Sequence, residues 1–153
     1  MSKFPPGACD VMKQKYPEVS VGALILNKGE LFLVKSWKWG DRFTIPGGHV
    51  ELGEKMEDAV RREVKEEVGI NLSDVKFHYV QEGIYSKEFF KPKHFIFLDF
   101  ICKTKSSKCK LDKDEIQECI WVKPENALNL NIDSFTRNSI KKYLETKGVR
   151  KWK

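Results

Sequence analysis

GHVELGEKMEDAVRREVKEEVGI, residues 48–70, is the stretch on which the reading of this chain turns. Its second half carries the period of an amphipathic helix, expected over Lys55–Val68 and stopped by Gly69, a residue that readily takes the left-handed backbone closing many helices. Met56, Val60, Val64 and Val68 recur at helical spacing, with Ala59 beside them. Glu63 and Glu67 fall inside this apolar stripe. Carboxylates four apart on a helix repel, and desolvating an unpaired carboxylate costs several kcal/mol. No Lys or Arg shares their arc: Arg62 sits beside Glu66, while Arg61 and Lys65 point elsewhere. The expected partner is therefore a divalent cation. A cluster of Glu63, Glu66 and Glu67 without His or thiolate favours a hard ion, Mg²⁺ or Mn²⁺. A merely solvated acidic face would surround these glutamates with polar residues, whereas their neighbours are Met56, Ala59 and Val60.

Outward from the helix, the pattern is that of a covered sheet. Val19–Asn27 reads as a strand, Lys28-Gly29 as a turn and Glu30–Lys35 as the returning strand. In the first of these and in His94–Cys102, apolar residues occupy both alternation classes, as in strands covered on two faces. Shorter strands are expected near 43–45, 74–83 and 118–122, with a polar loop over Lys105–Lys113. A second helix, Ser134–Thr146, is expected to end at Gly148 and to bury Phe135, Ile140, Tyr143 and Leu144. This order implies an α/β fold, an α/β/α sandwich around a mixed β-sheet. Phe43-Thr44-Ile45-Pro46-Gly47-Gly48 is an apolar strand ending where the backbone can approach a ligand closely, so a carbonyl there is a candidate metal ligand.

The 153 residues suit one domain, 1–153, with a short N-terminal extension over 1–18 and a basic tail over 147–153. The chain is 41% hydrophobic and 33% charged, which argues against disorder. There is no apolar run long enough to span a membrane and no secretory leader pattern, so a cytoplasmic protein is expected. Cys9, Cys102, Cys109 and Cys119 lack Cys-x-x-Cys spacing, so neither a zinc site nor a redox pair is expected of these thiols. Of the net charge of +6, five units come from residues 141–153, where six Lys and Arg face Glu145. A tail of this kind is more commonly solvated than bound to nucleic acid.

Gly48, Glu54 and Arg62-Glu63-Val64-x-Glu66-Glu67-x-Gly69-Ile70 together resemble the Nudix box of the Nudix hydrolase superfamily, including MutT-like members, at every specified position. The likeness extends more loosely through the preceding strand pair and Asp114-Glu115-x-x-Glu118-x-x-Trp121-Val122. It implies a Nudix-type α/β/α sandwich and Mg²⁺-dependent hydrolysis of a nucleoside diphosphate linked to another group, by direct attack of water. By position, the resemblance makes Glu63 and Glu67 principal metal ligands, Glu66 a further ligand or water-orienting group, and the Gly48 carbonyl a backbone ligand. Arg62 would aim a helix carboxylate and Glu54 would support the set. Glu115 is the first candidate for a general base from a downstream loop, with Glu118 second.

Trp37 and Trp39 are candidates to stack on a base, with core packing as the alternative, and Phe43 is expected in the core. Phe89, Phe90, Lys91 and Lys93 lie between two strands, where they would form a lid over phosphates. Features of NADH and ADP-ribose pyrophosphatases are missing, and Trp121–Glu125 with Thr136-Arg137 is similar to small nucleoside triphosphatase members. The leading expectation is hydrolysis of a nucleoside triphosphate to monophosphate and pyrophosphate. ADP-ribose or dinucleoside polyphosphate hydrolysis, RNA-end processing using the basic tail, and a non-catalytic nucleotide sensor are the alternatives. A homodimer is left open.

Overall fold

A computed structural model describes residues 13–151, with side chains for 13–147. The first twelve residues of the expected N-terminal extension, and Trp152 and Lys153 of the basic tail, lie outside the described residues. The strands are β1 (Glu18–Asn27), β2 (Glu30–Ser36), β3 (Phe43–Thr44), β4 (Gly47–His49), β5 (Asp74–Ile84), β6 (His94–Lys103) and β7 (Ile116–Val122). The helices are α1 (Met56–Val68), α2 (Pro124–Ala127) and α3 (Ser134–Lys151), and one 3₁₀ turn spans Trp37–Trp39.

The sheet runs β3-β2-β1-β6-β5, with β4 added to β1 and β7 to β2. β1 and β6 are parallel over nine residue pairs while the other pairings are antiparallel, so the sheet is mixed as expected. β1 gives Leu26 and Asn27 to β2 but Ser20–Gly22 to β4. One edge of a single strand is thus shared by two partners, and the sheet parts between them. Gly47 and Gly48 stand at that parting.

Alternation along β1 sorts its side chains into two cores. Val21, Ala23 and Ile25 pack with Ala59, Val60, Val64 and Val68 of α1, whereas Leu24 joins Leu31, Leu33 and Ile140 of α3. Burying each such aliphatic side chain contributes about 1.5–3 kcal/mol, which fixes α1 on one face and α3 on the other.

Four local expectations need correction. Gly47–Gly48 is not only a turn but part of β4, because its register on Val21 and Gly22 satisfies its backbone in the sheet. Helix α3 does not stop at Gly148 but continues to Lys151, since a lone glycine weakens a helix without ending it. Met56 is 45% exposed rather than part of the core, as the first residue of α1. Phe135 does not share the stripe of Ile140, Tyr143 and Leu144, but faces Trp39 and Phe97 near the start of α3.

Candidate active site

Helix α1 brings Glu63 and Glu67 under β4, as its periodicity requires. Glu67 is 7% exposed and shares a small cleft with Lys38 and Glu115. Burial, then the nearby carboxylates of Glu115 and Glu63, push its carboxyl well above the usual range. Glu63 is raised as well, first by burial, although Arg62 opposes the shift. A Cβ on Gly48 would collide with the Glu63 carboxyl, and one on Gly47 with the Val21 carbonyl. Glycine at 48 lets the backbone of β4 lie against the Glu63 carboxyl, and glycine at 47 lets β4 close on β1.

Arg62 is the organiser of the acidic set. Its guanidinium donates to both oxygens of Glu54, at 2.7 and 2.9 Å, to Glu63 at 2.9 Å, to Glu66 at 3.2 Å and to the His49 carbonyl at 3.0 Å. These bonds hold Glu54 down to about 2. The expectation that no cation reaches Glu63 is therefore corrected: Arg62 extends past its own arc to meet its neighbour. Glu66 accepts from the same Arg62 nitrogen as Glu63 and lies near enough for its charge to raise Glu63, while its side chain stays 59% exposed. Among the described residues, no group of three or more His, Cys, Asp and Glu side chains stands close enough to hold a metal by itself. What is assembled is narrower: two acids raised first by burial, Glu67 also by the carboxylates of Glu115 and Glu63 and Glu63 by that of Glu66, beside the Gly48 carbonyl, which accepts from Ser20 Oγ at 3.1 Å. That donor set fits a hard divalent cation completed by water and substrate oxygens.

Next to this cleft lies a cavity of about 120 Å³. Trp39, Phe89, Phe97 and Phe135 line it, and Trp39 meets Phe89 and Phe135 edge-on at 5.0 and 6.0 Å. Asp99 and Asp133 also line it, 3% and 1% exposed. Asp99 accepts from Gln81 Nε2 at 2.9 Å, yet burial pushes it up to about 7. Asp133 caps α3 through the Thr136 amide at 2.9 Å and hydroxyl at 2.7 Å, and burial raises it too.

Lys38 lines both the cavity and the acidic cleft and donates to Glu115 at 2.7 Å. Sequence reading passed over it between two tryptophans. Asp99, Asp133, Phe97 and Phe135 were also missed as cavity residues. Trp39 reaches the cavity. Trp37, 46% exposed, stacks instead on Phe90 at 4.8 Å. Neither lysine of the expected phosphate lid lines the cavity: Lys91 lies over the Phe90 ring at 5.1 Å and Lys93 pairs with Glu18. Glu118 is on β7, paired with Lys35 at 3.7 Å, and lines neither space.

The raised acids have a consequence for stability. A carboxyl raised on folding stabilises the fold below its unfolded pKa, and that contribution is lost as pH rises through its folded value. For Asp99 the window runs from 3.8 to about 7, and Glu63 and Glu67 act in the same direction from 4.5 upward. The metal-free protein should therefore melt at progressively lower temperature between about pH 5 and pH 8. Asp99→Asn should flatten part of that slope. A melting temperature that rises steadily over the same interval in metal-free buffer would contradict the assignment.

The family model described as the NUDIX domain matches residues 16–143. The chain belongs to the Nudix family and is a Nudix hydrolase, a pyrophosphohydrolase enzyme. The nucleoside triphosphatase NudI of Escherichia coli K12 is 30% identical over 128 residues, covering 77% of this chain and 90% of that protein. A MutT Nudix hydrolase from Burkholderia pseudomallei superposes with a TM-score of 0.73 at 24% identity, over 84% of this chain and 98% of that one. The Nudix domain of Shewanella oneidensis NrtR, solved with ADP ribose, gives 0.72 at 12% identity over 94% of each chain. Both structural likenesses establish the fold. Among the described residues, no helix is long and apolar enough to cross a membrane.

Proposed function

We propose that this hydrolase converts a nucleoside 5′-triphosphate to the monophosphate and pyrophosphate, using Mg²⁺ or Mn²⁺ held by Glu63, Glu67 and the Gly48 carbonyl. The observation that carries the reading is the junction at Lys38 and Gly47, where the aromatic cavity meets the acidic cleft. A base and a polyphosphate need these two environments side by side. The similarity to a nucleoside triphosphatase over most of both chains supports the same substrate class.

Each residue then has a distinct task. Trp39 and Phe135 hold the base, with stacking worth about 1–3 kcal/mol by analogy with single-strand binders. A bound cation neutralises phosphate charge and lowers the pKa of the attacking water. Arg62 keeps Glu63 aimed at Gly48, with Glu54 anchoring the guanidinium from the other side and Glu66 supporting it from solvent. Lys38 is bound to Glu115 in the free protein, and the phosphate chain draws its ammonium away. Glu115 Oε1 is then free to accept the proton of the attacking water, a step worth about 10² to 10⁴ in rate. In this reading water attacks phosphorus directly and no covalent enzyme intermediate forms.

The test is a hydrolysis panel under one Mg²⁺ condition, covering the eight standard nucleoside triphosphates, 8-oxo-dGTP, ADP-ribose, NADH and diadenosine polyphosphates. A triphosphate should give the highest kcat/KM, and ¹⁸O-labelled water should place a single label in the products. ADP-ribose or a dinucleotide exceeding every triphosphate by about tenfold, 1.4 kcal/mol, would overturn the substrate assignment while leaving the metal chemistry intact.

A further inference from the structure

From their spacing, Cys109 and Cys119 were not expected to form a redox pair. The fold brings their sulfurs to 3.3 Å, with both side chains only partly buried. Cys109 lies in the loop between β6 and β7, and Cys119 lies on β7 opposite Val34 of β2. The loop is hooked onto the end of α1 by Lys110 N–H to the Val68 carbonyl and Asp112 N–H to the Glu67 carbonyl, each at 2.8 Å. Nine residues lie between the two thiols, and that segment carries Asp112 and Glu115.

We propose that Cys109 and Cys119 form a reversible disulfide site that clips this loop to the sheet. Closing it needs the sulfurs to approach to about 2.05 Å, a movement of about 1 Å shared between a loop and a strand end. Partly buried cysteines also serve as small apolar filler. Two features separate this pair from filler: the thiols face each other, and the loop around Cys109 carries exposed Lys105, Lys108 and Lys110. That charge draws an anionic low-molecular-weight disulfide such as oxidised glutathione to Cys109.

The exchange balances in two steps. The Cys109 thiolate attacks one sulfur of oxidised glutathione, forming a mixed disulfide and releasing one glutathione thiolate. Cys119 loses its proton and attacks the Cys109 sulfur, forming the protein disulfide and releasing the second. The two cysteine protons end on the two departing thiolates, and both electrons reduce glutathione disulfide. In the reduced protein, burial and the neighbouring Cys109 thiol push the Cys119 thiol up to about 11.

The test uses the reduced full-length protein, oxidised glutathione and native buffer, read by intact mass and peptide mapping. The expected product is lighter by two hydrogens, carries a Cys109–Cys119 cross-linked peptide, melts no lower than the reduced form and returns to it with dithiothreitol. Cys109→Ser should block the cross-link entirely, and Cys119→Ala should halt the reaction with one glutathione attached at Cys109. Glutathione retained on both cysteines of the wild type, a bridge to Cys9 or Cys102, or a bridge that forms only as the melting temperature falls would each overturn the site. None of these readouts depends on the substrate or metal assigned above, so the two can fail separately.

Discussion

Glu67→Gln is expected to lower kcat at saturating Mg²⁺ by about 10³-fold, roughly 4 kcal/mol of barrier. The substitution keeps the volume and removes one anionic oxygen from the two acids beneath Gly48. The same change should raise the melting temperature of the metal-free protein. Glu67 is buried against Glu115 and Glu63, so the uncharged amide relieves a repulsion that wild type carries until a cation arrives. Opposite movements of activity and stability distinguish a ligand from a residue that merely packs. Retention of more than about a tenth of wild-type kcat, a loss below 1.4 kcal/mol, would remove Glu67 from the metal set.

Arg62→Ala carries the second large effect. The guanidinium bonds Glu54 through both oxygens and also bonds Glu63 and Glu66, so its loss leaves a half-buried carboxylate cluster without its positive centre. With the Arg62 side chain 25% exposed, the cost is placed below that of a fully buried pair, at about 2 kcal/mol, or about 5 °C in melting temperature. Activity should fall about 10²-fold, because Glu63 is no longer held toward Gly48. Arg62→Lys should recover part of the stability but little of the activity, since an ammonium cannot reproduce the two-pronged bond to Glu54. If Arg62→Ala kept both quantities within about twofold, a change under 0.5 kcal/mol in barrier, Arg62 would be a surface residue and not a positioning one.

The parts legible in the sequence were those governed by local periodicity. Val60, Val64 and Val68 recur at helical spacing, and this alone placed Glu63 and Glu67 among apolar neighbours, where the structure also has them. The two-faced apolar pattern of β1 likewise anticipated the separate cores on either side of it. The aromatic cavity was not legible, because it depends on the parallel register of β1 on β6. That pairing sets Gly22 against Asp99 and brings Phe97 up to Phe135, residues far apart in the chain. Nor could helical angles show that Arg62 reaches Glu63, since a long side chain is not confined to the arc of its Cα. The Cys109–Cys119 approach belongs to the same class: spacing rules find local metal and redox motifs, whereas this pair is made by a loop folding back on a strand.

In the proposed function Glu63, Glu67 and the Gly48 carbonyl seat a divalent cation. Mn²⁺ added to metal-free wild-type protein and to Glu67→Gln, with free ion followed by electron paramagnetic resonance, tests it without reference to any substrate. Wild type should remove Mn²⁺ from solution in a saturable manner, and Glu67→Gln should do so at least about tenfold more weakly, a loss of 1.4 kcal/mol or more. Equal Mn²⁺ affinity in the two proteins would contradict the account.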